Sequence, residues 1–471
     1  LANGSALATL SFVIAGCGAP APTTTDHQQG ETSSNLLEVS FRAQPFDTPG
    51  FIISVSEPPK QSRNYNFEVS SEQANVAKLY SGSWRVEPHR PGPVTFTVSD
   101  SQRSINGTLL TFKEVHDRLG VPRAAEGHVN TDAWEDGASF SPDGRYLLMQ
   151  YSPITITGYL NQNPEAPEAT TVRGPIQAPE RPGFPKNLIS ESGEVTNAFP
   201  LYGQDELPFS FPPTALFVFE RGEGRVWNAL GAFGPDDGGN GSLGTFGPGF
   251  VTGVADRSIV FAFNDPRTND EADTNADIYL YQWEPVSPGP LGRFFRENQS
   301  IEAEGFEPVL IGPDPAGHQG NPHLHVGANE MSLWVDDETK SEKDIYLATS
   351  PNPRPQDATW TGWMPLPAPI NEADVEETQP FFDGSILVLR KGNRIVAFEY
   401  LGGSLTSADS WSRMQVWLTP STRREPGVIN VVGEPSLFTM RGRKHLGFVY
   451  GVAEADGTVN LDVGYVPITR R

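Results

Sequence analysis

Asp136-Gly-Ala-Ser-Phe-Ser-Pro-Asp-Gly-Arg-Tyr-Leu-Leu-Met-Gln-Tyr151 is the stretch whose reading decides the fold. In Ser141-Pro-Asp-Gly144 the proline sets φ at the first corner of a turn, and Asp and Gly tolerate the conformations that follow. A short segment ending at Phe140 precedes the turn, and Tyr146 to Tyr151 is apolar and aromatic enough for a buried strand. The stretch therefore predicts a hairpin, with Thr214-Ala-Leu-Phe-Val-Phe-Glu and Arg225-Val-Trp as the outer strands of the same unit.

Similar units recur. Gly247-Pro-Gly-Phe-Val-Thr opens a second, followed by Ser258-Ile-Val-Phe-Ala-Phe and Asp277-Ile-Tyr-Leu-Tyr. Asn321-Pro-His-Leu-His opens a third, Glu377-Thr-Gln-Pro-Phe-Phe a fourth and Glu434-Pro-Ser-Leu-Phe a fifth. Four short strands per copy, at a period of roughly 50 residues, predict a β-propeller. Five blades are expected over 130–471. Six is the alternative, with the extra blade drawn partly from the region before it.

Bulk composition agrees with an all-β chain. The 471 residues suffice for two or three domains, and Gly 47 with Pro 43 implies frequent turns and short elements. One short helix-like window stands out, Leu110 to Leu119. A net charge of −24 excludes a nucleic-acid partner, because a phosphate backbone needs clustered Lys and Arg.

The N-terminal third divides into four. Ala6 to Ala15 is an apolar run too short to span a bilayer, which is how the core of a signal peptide reads. Residues 18–35, Pro- and Thr-rich and then polar, have no apolar period and read as a flexible tether. Residues 36–115 alternate as half-exposed strands, among them Phe51-Ile-Ile-Ser-Val-Ser and Val94-Thr-Phe-Thr-Val-Ser, and predict a small β-sandwich. Residues 116–129 are then a linker. Within the first blade, 159–205 is a Pro-, Glu- and Gly-rich insertion placed to drape over the channel mouth.

Three resemblances add to this reading. Ile14-Ala-Gly-Cys17 resembles the bacterial lipoprotein box, which makes 1–17 a signal peptide and implies acylation at Cys17. The chain would then be a cell-envelope lipoprotein, held in the outer membrane, because Gly18 rather than Asp follows the cysteine. Pro91-Gly-Pro-Val-Thr-Phe-Thr-Val-Ser-Asp100 resembles the closing hairpin of bacterial immunoglobulin-like domains. Ser141-Pro-Asp-Gly144, Asp277-Ile-Tyr and Asp344-Ile-Tyr are similar to the TolB-type, WD40-like propeller repeat, a mostly non-enzymatic family.

The chemistry expected follows from the propeller. First strands line a central channel, so opening residues from successive blades form a ring: Asp136, Gly247, Asn321, Glu377 and Glu434. Carboxylates sharing one axis repel, which raises at least one pKa. Several glycoside hydrolase families share the five-bladed layout with axial carboxylates, and Glu434-Pro-Ser-Leu-Phe with Gly447-Phe-Val-Tyr is similar to one of their blades. That resemblance implies Glu434 as acid and Asp136 or Glu377 as base, about 6.5–9.5 Å apart in an inverting mechanism. The competing expectation is a binding or scaffolding module that offers its face to an envelope protein or glycan, its polar openings merely tying blades together.

Other motifs carry less. His323 and His325 fall on one side of a strand and line the channel with Asn321, but no third metal ligand accompanies them. Asp273, Asn275 and Asp277 resemble the front of a calcium loop without its Gly and distal Glu. Gly239-x-Gly-x-x-Gly244 matches a dinucleotide fingerprint in letters only, and no cofactor is expected. Trp360, Trp363, Trp411 and Trp417 offer either a sugar-stacking platform or packing between blades.

Overall fold

The computed structural model describes residues 39–43, 50–56, 64–70, 72–127, 129–131, 134–152, 215–222, 226–232, 245–253, 258–263, 277–282, 319–337, 343–354, 357–455, 457 and 459–469. The expected signal peptide with Cys17, the tether and the insertion at 159–205 lie outside the described residues.

The first part is a two-layer sandwich. One sheet runs in the order Val39–Ala43, Phe51–Val55, Ser83–Pro88, Ala74–Tyr80, and the other contains Asn66–Val69, Pro93–Ser99 and Ser104–Leu110. Strand alternation explains the layer between them: Phe51, Ile53, Val86, Val94, Phe96 and Val98 all point inward and are buried together. Phe67 stacks on Trp84 with ring centroids 4.9 Å apart. Each fully covered aliphatic side chain here contributes roughly 1.5–3 kcal/mol.

Five radial sheets follow. Blade one holds Trp134–Phe140, Tyr146–Ser152, Ala215–Arg221 and Val226–Ala232. Blade two shows three described strands, Thr245–Phe250, Ser258–Phe263 and Asp277–Gln282. Blade three is Gln319–Val326, Met331–Asp337, Ile345–Ser350 and Met364–Pro365. Blade four is Glu377–Phe382, Ile386–Lys391, Ile395–Glu399 and Gln415–Thr419. Blade five is Ile429–Met440, Arg443–Ala453 and Val459–Pro467, and its fourth strand is Arg123–Ala124, borrowed from the chain ahead of blade one.

Two observations close the circle at five. The first strand of each blade packs on the first strands of the blades before and after it, blade five on blade one included. The hydrophobic clusters also fall between consecutive blades. Phe140, Leu147 and Phe217 meet Phe438, Val449 and Tyr465 between blades one and five. Trp334 and Leu347 meet Phe382, Leu389 and Trp411 between three and four. Trp417, buried between four and five, and Trp411 thus serve packing, while Trp360 and Trp363 pack half-buried against the cluster between two and three.

The expected linker at 116–129 and the helix-like window at 110–119 take other forms. No helix occurs at Leu110–Leu119. Leu110, Phe112 and Leu119 reach one core from extended backbone, and Glu114–Val115 pairs with the outer strand of blade four. Tertiary pairing here outweighs a weak local preference. Farther on, Arg123–Ala124 completes blade five and Glu126–Gly127 lies parallel to the outer strand of blade one. Residues 114–127 therefore form a strap across the outer edges of three blades, and through the Leu109–Arg123 pairing one sandwich sheet continues into blade five.

Candidate functional site

Each innermost strand breaks register at one shared place, and that of blade five breaks a second time between Ile429 and Val431. The shifts fall between Asp136 and Ser139, Phe246 and Gly249, Gly320 and His323, Thr378 and Phe381, and Gly433 and Ser436. The first unpaired residue of each bulge has positive φ: Gly137 at 55°, Gly247 at 55°, Asn321 at 45°, Gln379 at 58° and Glu434 at 50°. The second is Pro in four blades (Pro248, Pro322, Pro380, Pro435) and Ala138 in the first. A proline has no N–H, so placing it where the ladder is already interrupted sacrifices no hydrogen bond.

The bulge sets the depth of the axial mouth. Asp136, Asn321, Gln379 and Glu434 are half-buried, with Arg390 from the second strand of blade four beside them. Two residues deeper, Ser139, His323, Phe381 and Ser436 are all buried and bind across blades. The Ser139 hydroxyl accepts from the Phe250 N–H at 3.0 Å, and Ser436 accepts from Phe140 N–H at 3.4 Å. His323 Nε2 donates to the Phe382 carbonyl at 2.7 Å. This inner ring is the floor of the mouth.

Above it lies a polar network. Asp336, fully buried on the second strand of blade three, accepts from the Asn321 side chain at 2.8 Å and from the Gln379 N–H at 2.9 Å. Gln379 spans to blade five with both amide atoms, donating to Glu434 Oε1 at 2.6 Å and accepting from the Glu434 N–H at 2.8 Å. Arg390 lies against Gly433, where an added Cβ would stand 3.3 Å from its Cδ. Burial pushes the Asp136 carboxyl above its ordinary pKa, against the Gly137 N–H and the positive charge of Arg390. Three carboxylates, two amides and a guanidinium thus converge from blades one, three, four and five.

The residues singled out from the sequence separate in depth. Glu434 and Asn321 occupy the bulge position, as does Gly247, whereas Asp136 stands one residue earlier and Glu377 two. Glu377 is fully covered, and its Oε1 lies 2.8 Å from Lys391 Nζ, which also donates to the carbonyls of Pro369 and Ile370. Burial raises its pKa, with Lys391 opposing.

His323 forms part of the floor, and His325 lies beyond it, toward the hairpin that carries Asp383 and Gly384. Thr252 Oγ1 joins the two rings, 3.2 Å from His323 Nε2 and 2.9 Å from His325 Nδ1. Burial lowers both pKa values, His323 to about 3. No cluster of three or more His, Cys, Asp or Glu suited to a metal occurs among the described residues. Asp273 and Asn275 lie outside them, and Asp277 begins the third strand of blade two.

Gln379, Arg390 and Asp336 were not anticipated from sequence. The X-Pro pair marks the αL position of the bulge in blades two to five and would have located Gln379. Asp336 and Arg390 are the second-strand partners of the residue just before the bulge, Gly320 and Thr378 respectively.

No family model matches the sequence, and no curated protein matches it. Among solved structures, an α-L-arabinofuranosidase from Lactobacillus brevis is similar at 10% identity and TM-score 0.41, over 72% of this chain and 91% of that one. A family 117 glycoside hydrolase from Zobellia galactanivorans is similar at 11% identity and TM-score 0.36, over 74% and 89%. A protein of unknown function from Dyadobacter fermentans is similar at 10% identity and TM-score 0.35, over 92% and 97%.

Proposed function

We propose that the axial mouth binds a glycan and hydrolyses it with the two carboxyls of Asp136 and Glu434. One observation carries this reading. Burial raises the pKa of the half-buried Asp136 carboxyl above its ordinary value, while a second carboxyl, Glu434, stands on the neighbouring blade with Gln379 donating to it. Paired carboxyls in unlike surroundings are what acid–base hydrolysis of a glycosidic bond requires. Asp136 then gives its proton to the leaving oxygen, and Glu434 takes one from the attacking water. This reverses the order in which the sequence ranked them, and the fully covered Glu377 has no part in it. Asn321, Gln379 and Arg390 supply the amide and guanidinium groups that a polyhydroxylated ligand accepts and donates to.

A second reading, a non-catalytic binding face at the cell envelope, is favoured by the Gln379 amide, which engages Glu434 on both atoms and ties blades four and five. A panel of plant, algal and bacterial glycans separates the two. Under the catalytic reading wild type releases sugar with inverted anomeric configuration, and Asp136→Asn and Glu434→Gln each lower kcat by about 100-fold or more while binding persists. Binding without cleavage by wild type establishes the second reading; neither binding nor cleavage across the panel sinks both.

A further inference from the structure

Outside the axial mouth, at the junction of the sandwich with blades five and one, the chain gathers positive charge that it does not balance. Arg123, in the strand shared by sandwich and blade five, is 8% exposed. Its guanidinium carbon stands 5.0 Å from the ring centroids of both Phe41, from the sandwich, and Tyr465, from blade five. Its Nε and Nη1 are buried without a hydrogen-bond partner, and no carboxylate among the described residues forms an ion pair with it. Two aromatic faces return about 0.5–2 kcal/mol each, whereas burying an unpaired charge costs several. The folded chain carries a deficit at this point.

The neighbours share the same surplus of donors. Tyr465 Oη and Arg221 Nη1 are also buried without partners. His445, whose ring centroid is 6.1 Å from that of Tyr465, feels the charges of Arg123, Arg443 and Arg221 together. Burial first, and then those three guanidiniums, hold its pKa down to about 4. The nearby Glu220 is engaged by Arg145, at 2.9 and 2.8 Å. In a chain of net charge −24, this is a local concentration of guanidiniums, which only donate, with a phenol hydroxyl that can donate beside them. What satisfies several donors and cancels positive charge at once is an acceptor-only group with many lone pairs.

We infer that Arg123, Tyr465 and Arg221 together form a binding site for a small oxyanion. Phosphate, sulfate and a carboxylate share the required chemistry, and the anion welds the sandwich to the ring closure because Arg123 belongs to both. The site stands apart from the axial mouth and does not depend on its function.

The test is isothermal titration of the full chain with sodium phosphate, sodium sulfate and sodium acetate at matched ionic strength. Wild type should bind one equivalent of at least one anion, and the anion that binds identifies the class. Arg123→Met keeps the aliphatic stem between the two rings and should weaken that affinity at least about tenfold while folding as wild type does by circular dichroism. Tyr465→Phe should weaken it by less. Arg145→Met, on the exposed pair with Glu220, should leave it unchanged. Wild type that binds none of the three anions, or Arg123→Met that binds as wild type does, overturns the proposal.

Discussion

Acid should weaken this fold through His323, whose burial disfavours the charged imidazolium. The ring is 2% exposed, its Nε2 donates to the Phe382 carbonyl, and its Nδ1 has no partner. Protonation adds a hydrogen at Nδ1 and leaves a cation in the floor of the mouth, with His325 opposing it and Asp383 favouring it. Burial therefore brings the pKa down to about 3 from 6.5. Between those values the unfolded chain binds the extra proton and the folded one does not. Stability is then complete above pH 6.5 and falls as pH drops toward 3, by about 1.4 kcal/mol per pH unit.

At pH 4.5 the loss from this residue alone comes to about 3 kcal/mol relative to pH 8. His445, lowered to about 4, loses stability in the same direction, while Asp136 and Glu377, whose pKa values are raised, act in the opposite one. A variant isolates the single contribution. His323→Gln keeps a side-chain N–H for the Phe382 carbonyl but does not titrate. Urea unfolding of both proteins, followed by tryptophan fluorescence at pH 8, 6, 5 and 4.5, should show wild type losing about 3 kcal/mol more than the variant. Parallel curves would refute the reasoning, since they would mean the imidazole is charged, or wet, in the folded protein.

Two further outcomes follow from the ring. Lys391→Met strands the fully buried Glu377, so it should destabilise by about 3–5 kcal/mol in urea unfolding, and adding Glu377→Gln should restore most of the loss. Gly253→Ala should abolish soluble expression or lower Tm sharply, because φ is 100° and the new Cβ would lie 1.9 Å from the Val326 carbonyl oxygen; Gly392→Ala, with φ 55° and open space around it, should cost only about 1–2 kcal/mol.

Much of the architecture was legible in particular residues. The Ser141-Pro-Asp-Gly144 turn forms because the Ser141 hydroxyl accepts from the N–H groups of Arg145 and Tyr146 and Gly144 takes φ 63°. Those are local requirements, and local requirements show in a sequence. Blade-opening segments were equally readable, since each sets a polar residue or glycine just ahead of a short apolar run. What stayed hidden was register. Asp136, Glu377 and Glu434 are the same kind of letter at similar places, but backbone geometry assigns them to three different positions relative to the bulge.

Asp336 and Arg390 were invisible for a different reason. Each lies near the end of a second strand and is followed by another charged residue, Asp337 or Lys391, so it reads as the ordinary polar end of an apolar strand. Only the pairing of Gly320 with Asp336 and of Thr378 with Arg390 brings them to the axis. The strap at 114–127 poses the same problem, because its short pairings with blades four, five and one join residues far apart in the chain, such as Val115 with Leu418 and Glu126 with Val226.

The ring and its mouth are one construction. A propeller must tie each innermost strand to the next, and here side chains do it, in two tiers. The lower tier uses Ser139, His323 and Ser436 on neighbouring backbone and is buried. The upper tier uses Asp336 and Gln379 and stays open to solvent at Glu434, Asn321 and Arg390. A tie that is covered can be neutral and small; a tie at the surface competes with water, so charge-assisted and two-atom contacts are needed there. Ring closure thus accounts for why acids and amides stand at the mouth in Asp336, Gln379 and Glu434. It does not account for Asp136, whose pKa burial raises at a half-buried position on the mouth. That residue is the part of the mouth that closure leaves unexplained, and it is where chemistry has to be sought first.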